Sequence, residues 1–170
     1  MTSQDTLPLQ VSASAPYWKT SVYSHGAEGA SEGTSGLLSS DDLKGQKYIL
    51  YFYPKDNTPG CTTQACDFRD HMGRLSTLGY RVIGASPDSL KSHGRFQEKH
   101  GFSFELLSDP DHEVAEAFGV WREKKNYGRK YMGIVRSTFV INAEGIVTHA
   151  LENVRAKGHV ERLLKRIEEV

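Results

Sequence analysis

Apolar residues cluster along the chain in two ways, as short unbroken runs and as runs with helical spacing. Unbroken apolar and aromatic runs are typical of strands covered on both faces of a sheet. Two segments separated by an Ala-Glu-Gly turn predict a β-hairpin near the carboxyl end. The predicted strands lie at residues 17–23, 48–53, 81–86, 105–107, 137–142 and 146–150.

Apolar residues recurring every three or four positions predict the helices that separate these strands. In the last helix, one stripe is formed by Val160, Leu163, Leu164 and Ile167. The predicted helices lie at residues 62–78, 89–100, 111–118 (with an aspartate cap) and 159–170, and a helical turn lies at 40–43. Strands alternating with helices predict an α/β sandwich whose sheet has a mostly parallel centre and an antiparallel hairpin.

Three polar stretches lack either periodicity. Residues 1–14 are small and polar and predict a flexible amino-terminal segment. Residues 25–36 are rich in Gly and Ser and predict a flexible loop. Residues 121–136 carry six Lys or Arg against one Glu, which we interpret as an exposed loop. The remaining chain, 15–170, is long enough for one domain with a core.

Composition excludes several functional classes. The formal net charge of +0 gives no electrostatic reason to expect nucleic acid or an anionic membrane as a partner. No apolar run reaches the roughly 18 residues of a membrane span, and the amino terminus lacks the pattern of a signal peptide. With only two cysteines the chain is no disulfide scaffold, so we expect a cytoplasmic protein.

The two cysteines, Cys61 and Cys66, follow a Thr58-Pro59-Gly60 turn at the start of a predicted helix. On a helical wheel Cys61 heads the apolar stripe, whereas Cys66 falls on another face. Ideal helix geometry separates residues five apart by about 8.7 Å between Cα atoms. A disulfide requires roughly 4.4–6.8 Å. The two thiols therefore cannot bond unless this helix opens.

A cysteine in the first turn of a helix benefits from free N–H groups and the helix dipole, both of which favour an anionic thiolate. The dipole is worth about 0.3–1 kcal/mol, so a reactive thiolate at neutral pH needs a cation as well. Lys55 lies in the turn, and Arg69 lies on the wrong face of the helix. Arg136 interrupts an apolar stretch that enters a strand, and we favour it as the cation beside Cys61.

The pattern Pro54-x-x-x-Thr58-x-x-Cys61 resembles the active-site signature of the peroxiredoxins. The second cysteine, in TPGCTTQACDFRD, resembles the peroxiredoxin Q subfamily, also called bacterioferritin comigratory protein. Similarity continues through FELLSDPDHEVAEAFGVW (104–121) and GIVRSTFVINAEG (133–145). The resemblance implies a thioredoxin-like sandwich with a central mixed sheet flanked by helices. It also implies a thiol-dependent peroxidase for hydrogen peroxide and organic hydroperoxides, with a role in antioxidant defence.

The resemblance also implies a role for each matching residue. Cys61 is the peroxidatic cysteine, which becomes a sulfenic acid, and Cys66 is the resolving cysteine, which forms an intramolecular disulfide. Thioredoxin is the implied reductant, and no cofactor or metal is implied. An intramolecular pair needs no partner subunit, so we expect a monomer. The supporting residues are Thr58, which orients the peroxide, Arg136, which holds the thiolate, Pro54, which shields the pocket, Gln64, which bonds the arginine, and Trp121, which lines the site.

Three alternatives stay open at this point. Cys61, Cys66 and a histidine such as His71 offer a loose zinc spacing. A thioredoxin-like thiol–disulfide exchanger shares the element order but uses C-x-x-C and a proline before the late strand, and residues 134–138 contain none. A binding module would use both cysteines as small apolar filler. No role is predicted for the histidines on polar faces or ends: His71, His93, His100 and His112.

Overall fold

The computed structural model describes residues 11–24 and 34–168, which form a seven-stranded mixed sheet with helices on both faces. The sheet order is β2-β1-β5-β4-β3-β8-β9, and β6 and β7 form a separate two-stranded hairpin. The strands are β1 (Lys19–Ser24), β2 (Thr34–Ser39), β3 (Lys47–Phe52), β4 (Tyr80–Ser86), β5 (Glu105–Ser108), β6 (Trp121–Asn126), β7 (Arg129–Ile134), β8 (Ser137–Ile141) and β9 (Val147–Leu151). The predicted mixed sheet and carboxyl-terminal hairpin are confirmed.

The helices are α1 (Pro59–Asp70), α2 (Met72–Thr77), α3 (Leu90–His100), α4 (Glu113–Ala117) and α5 (His159–Glu168), with a 3-10 turn at Ser40–Leu43. The single helix predicted over residues 62–78 is wrong, because the chain breaks at His71 (φ −107°, ψ 5°). Apolar spacing continues across this break and hides it from the sequence. In the described ranges no helix has the length and apolarity to cross a bilayer.

Strands β3, β4 and β5 are parallel and form the centre of the sheet, with antiparallel strands outside them. Side chains of β3 alternate between two buried clusters. Ile49 and Tyr51 face α1, α2, α3 and α5, whereas Leu50 and Phe52 face α4. Both faces of the central strands are therefore dry, which explains the unbroken apolar runs in the sequence.

The stretch 121–136 is not the predicted loop, because residues 121–134 form the β6–β7 hairpin, paired from Trp121 opposite Ile134 to Asn126 opposite Arg129. Long basic side chains on both faces conceal the strand period. A second difference concerns residues 25–36, since β2 begins at Thr34 and pairs with β1; residues 25–33 lie outside the described part.

Two further predictions change at the amino terminus and at α4. The backbone N–H groups of Ser12 and Ala15 donate to the carbonyls of Val147 and Gly145. The last residues of the segment 1–14, which was predicted to be flexible, are therefore held by hydrogen bonds. Residues 1–10 lie outside the described part. The helix predicted from residue 111 begins at Glu113 with His112 at the N-cap position, and the aspartate that caps it is Asp109, which accepts hydrogen bonds from the Val114 and Ala115 amides.

Candidate active site

Cys61 lies in the first turn of α1, where Pro59 fixes the backbone and lacks an N–H that the helix would leave unpaired. Thr58 is the N-cap, with an extended backbone (φ −88°, ψ 154°), and its carbonyl accepts the Thr62 amide at 2.9 Å. The side chain of Cys61 points to the core, with 2% of the residue exposed. The thiol therefore sits where the helix dipole favours an anion and water is scarce.

Arg136 reaches this thiol from the two-residue link between β7 and β8. Its Nη2 donates to Cys61 Sγ at 3.3 Å. The contact follows from strand register, because Phe52 pairs with Ser137 and so brings residue 136 beside the loop that leaves β3. Gly60 makes room for it, since a Cβ there would lie 3.2 Å from Nη2. A guanidinium in this place stabilises negative charge on sulfur.

Gln64 fixes the guanidinium from the next turn of α1. Its Oε1 accepts a hydrogen bond from Arg136 Nη1 at 2.6 Å, and the side chain is buried. One arginine therefore bridges two positions on the first turns of the helix. This bridge holds the amino-terminal half of α1 against the β7–β8 link.

Thr58 and Pro54 belong to the loop between β3 and α1. The Thr58 hydroxyl donates to the Lys55 carbonyl at 2.8 Å. Pro54 lines an open cleft of about 480 Å³ together with Arg136, Lys124 and Val154. The structure thus brings Pro54, Arg136 and the start of α1 to one end of the sheet.

Lys124 is a second cation near the thiol that the sequence did not reveal. Its Nζ donates to the Ile134 carbonyl at 2.8 Å, and the side chain lines the same cleft as Arg136. Burial lowers the pKa of Lys124, and the charge of Arg136 lowers it further. Only the β6–β7 pairing carries this lysine to the cleft, so no local sequence signal marks it.

Cys66 is half-buried on α1, and both cysteines are free thiols on one intact helix. The other basic candidates lie elsewhere, since Lys55 is exposed and Arg69 Nη1 donates to the His100 carbonyl at 2.6 Å. Within residues 11–24 and 34–168, no group of His, Cys, Asp and Glu is arranged to hold a metal ion. The described residues therefore do not support the zinc alternative at Cys61, Cys66 and His71.

Trp121 makes its contacts on the other face of the sheet from Cys61. Its ring stacks on His112 with centroids 3.6 Å apart and packs against the core cluster that contains α4. Cys61 belongs to the cluster that contains α1. The structure does not bring these two residues together.

His93, for which the sequence predicted a polar face, is fully buried in the cluster of helices α1 and α3. It bonds the Asp56 carboxylate beneath the β3–α1 loop. An aspartate between Lys55 and Asn57 looks like a surface turn residue, and the histidine sits on a largely polar helix. Sequence reasoning missed the pair because the two residues are 37 positions apart.

The chain is similar to known proteins over most of its length. Residues 23–150 match the pattern of the AhpC/TSA family. The chain is 51% identical over 129 residues to peroxiredoxin Bcp of Bacillus subtilis, covering 76% of this chain and 82% of that protein. Peroxiredoxin Bcp of Escherichia coli is 44% identical over 128 residues, covering 75% and 82%. A solved structure of Xanthomonas campestris peroxiredoxin Q superposes with a TM-score of 0.74 at 40% identity, covering 78% of this chain and 84% of that one.

Proposed function

This chain belongs to the AhpC/TSA family and is a thiol-dependent peroxidase, and on that premise we propose that Cys61 is its peroxidatic cysteine and Cys66 its resolving cysteine. The observation that carries the proposal is the hydrogen bond from Arg136 Nη2 to Cys61 Sγ at the start of α1. A buried thiol in contact with a permanent cation is a nucleophile held ready for attack.

In the first step, the Cys61 thiolate attacks one oxygen of the peroxide. An S–O bond forms, the O–O bond breaks, and the departing oxygen leaves as water or an alcohol after taking a proton. Charge moves from sulfur to the leaving oxygen during this step. Arg136 donates to the sulfur and stabilises the charge as it shifts to the leaving oxygen. Pro54, which lines the cleft beside Arg136, and Thr58, the N-cap of α1, form the proposed wall against which the peroxide is oriented.

In the second step, the Cys66 thiolate attacks the sulfenic sulfur, water leaves, and a disulfide forms. The amino-terminal half of α1 must open for this, because five residues of helix keep the Cα atoms about 8.7 Å apart. The carboxyl-terminal half is held more firmly. Asp67 accepts the Val160 amide at 3.0 Å, and Phe68 stacks on Tyr51 with centroids 4.4 Å apart. We therefore place the opening between Thr58 and Asp67.

A dithiol protein of the thioredoxin type completes the cycle by reducing the disulfide, and hydrogen peroxide or an organic hydroperoxide is the oxidant. Because both cysteines lie on one chain, the cycle needs no second subunit, and we propose a monomer. The neutral net charge supports a protein without nucleic-acid or membrane partners. Two cysteines, too few for a disulfide scaffold, support a cytoplasmic location.

Stopped-flow mixing of the reduced protein with hydrogen peroxide tests the proposal directly. We expect two thiols to disappear for each peroxide consumed, with both found in one intramolecular disulfide. Loss of a single thiol per peroxide, or a disulfide between two chains, would contradict the assignment of Cys66. Absence of any rapid thiol loss would contradict the assignment of Cys61.

Replacement of Arg136 by alanine is expected to lower the second-order rate constant for peroxide by roughly 100-fold, the usual cost of losing one donor to developing charge. The measurement is the initial stopped-flow oxidation rate over a range of pH. Arg69→Ala is the matched control, because that arginine belongs to α1 itself but bonds the His100 carbonyl and not Cys61. Equal losses in both variants would show that Arg136 acts only through folding.

A further inference from the structure

Beneath the loop that carries Pro54 and Thr58 lies a buried polar cluster that the peroxidase chemistry does not itself use. Its centre is Asp56, whose side chain is 1% exposed. The carboxylate contacts three groups: Tyr53 Oη at 2.6 Å, Ser92 Oγ at 2.8 Å and His93 Nδ1 at 2.7 Å. A buried carboxylate is retained only where such bonds replace its hydration. These three hydrogen bonds therefore anchor the loop to the core of the protein.

The cluster also ties the loop to the two neighbouring parallel strands. His93 Nε2 bonds the Leu107 carbonyl in β5 at 2.8 Å. The Asp56 amide donates to Asp88 Oδ2 at 2.8 Å, and Ser86 at the end of β4 donates to the same oxygen. The carboxyl ends of β3, β4 and β5 are therefore joined by one set of hydrogen bonds directly before α1.

The hydrogen-bond partners of the Asp56–His93 pair fix the number of protons that the pair carries. The Leu107 carbonyl can only accept, so His93 Nε2 carries a proton. The contact between Nδ1 and Asp56 Oδ2 then needs one more proton, on the imidazole or on the carboxyl group. In both arrangements the pair is neutral as a whole and every polar atom has a partner. Burial and the nearby Asp56 raise the pKa of Tyr53, so its hydroxyl remains a donor.

We propose that Asp56 and His93 are positioning residues that hold Pro54 and Thr58 in place for peroxide while α1 opens and closes. The inference rests on the proposed function. Asn57 has a left-handed conformation (φ 59°) and lies between Asp56, which is anchored by hydrogen bonds, and Thr58, the N-cap of α1. Opening of the helix therefore stops at this turn, and each closure returns Cys61 to the same loop.

The test measures Cys61 oxidation and disulfide formation separately in the variants Asp56→Ala and His93→Ala. Cys61 oxidation by hydrogen peroxide is followed by stopped flow, and disulfide formation is followed after that step is complete. We expect oxidation to slow by roughly 10- to 100-fold, because misplacement by about 1 Å costs that much. Disulfide formation should keep its rate, since it needs the open helix and not the peroxide wall.

Asp56→Asn should restore most of the oxidation rate. Its amide oxygen can accept from Tyr53, and its NH₂ can donate both to Nδ1 of a neutral His93 and to Ser92 Oγ, which then accepts instead of donating, so all three contacts are kept without charge. The matched control is Asp109→Asn, which alters another buried carboxylate that caps α4. It should lower stability and leave both steps unchanged. If the alanine variants do not fold, Ser92→Ala removes one of the three bonds and should slow oxidation alone.

The positioning role is overturned if Asp56→Ala and Ser92→Ala oxidise at the wild-type rate, if both steps slow together, or if Asp109→Asn slows oxidation equally. Failure of the proposed function looks different. In that case the wild type itself would consume no peroxide. If only the positioning role fails, the wild type remains active and the rates of the variants alone differ from those expected.

Discussion

Replacing Cys61 by serine is expected to abolish peroxide consumption. A serine hydroxyl keeps the size of the side chain and its hydrogen bond to Arg136, but it is not ionised at neutral pH and is a poor nucleophile. The peroxide should then disappear only at the uncatalysed rate. The measurement is peroxide loss with excess thioredoxin system, alongside circular dichroism to establish that the variant is folded.

The effect is large because no other thiol can replace Cys61. Cys66 is half-buried on a different face of α1, and the thiol that Arg136 contacts is that of Cys61. Cys66→Ser is the control, since it should still consume peroxide in its first turnover. Steady turnover by Cys61→Ser would mean that the nucleophile is a different group.

Replacing Cys66 by serine is expected to preserve the first oxidation and stop intramolecular recycling. Cys61 should accumulate as a sulfenic acid, which excess peroxide converts to sulfinic acid because the resolving thiol is missing. The measurements are thiol counts after one equivalent of peroxide and the mass of the oxidised chain. Unchanged turnover with thioredoxin would place resolution on another thiol.

Disulfide formation by Cys66 also provides a test of whether α1 opens. Amide hydrogen exchange in the wild-type disulfide should be faster than in the reduced protein across residues 62–66, because those helical bonds are broken. The amides of His71 and Leu75 should keep their protection, since they bond the Phe68 and His71 carbonyls, which lie beyond the opened turns. The oxidised Cys66→Ser protein, which forms no disulfide, should exchange like the reduced wild type. Equal protection in all three forms would contradict the opening.

Local sequence patterns were sufficient to predict a helix or strand where burial of its faces determines which positions are apolar. The apolar stripe of α5 and the aromatic run of β3 predicted those elements, because burial on a regular face leaves a regular spacing. Patterns failed where side chains conceal the backbone. Basic residues on both faces of β6 and β7 hid a hairpin, and apolar spacing that continued across His71 hid a break between two helices.

The sequence by itself determined the chemistry available to this protein. Pro54, Thr58 and Cys61 stand within eight positions, and Cys66 follows five later, so the reactive turn and the conflict between its thiols are local properties. The sequence also marked Arg136 as the favoured cation, but only the tertiary structure placed its guanidinium against Cys61 and paired Asp56 with His93. Arg136 is 75 positions from Cys61, and His93 is 37 positions from Asp56. Their contacts depend on the register of β3 against β8 and on the packing of α3 over the parallel strands, which no short stretch of sequence encodes.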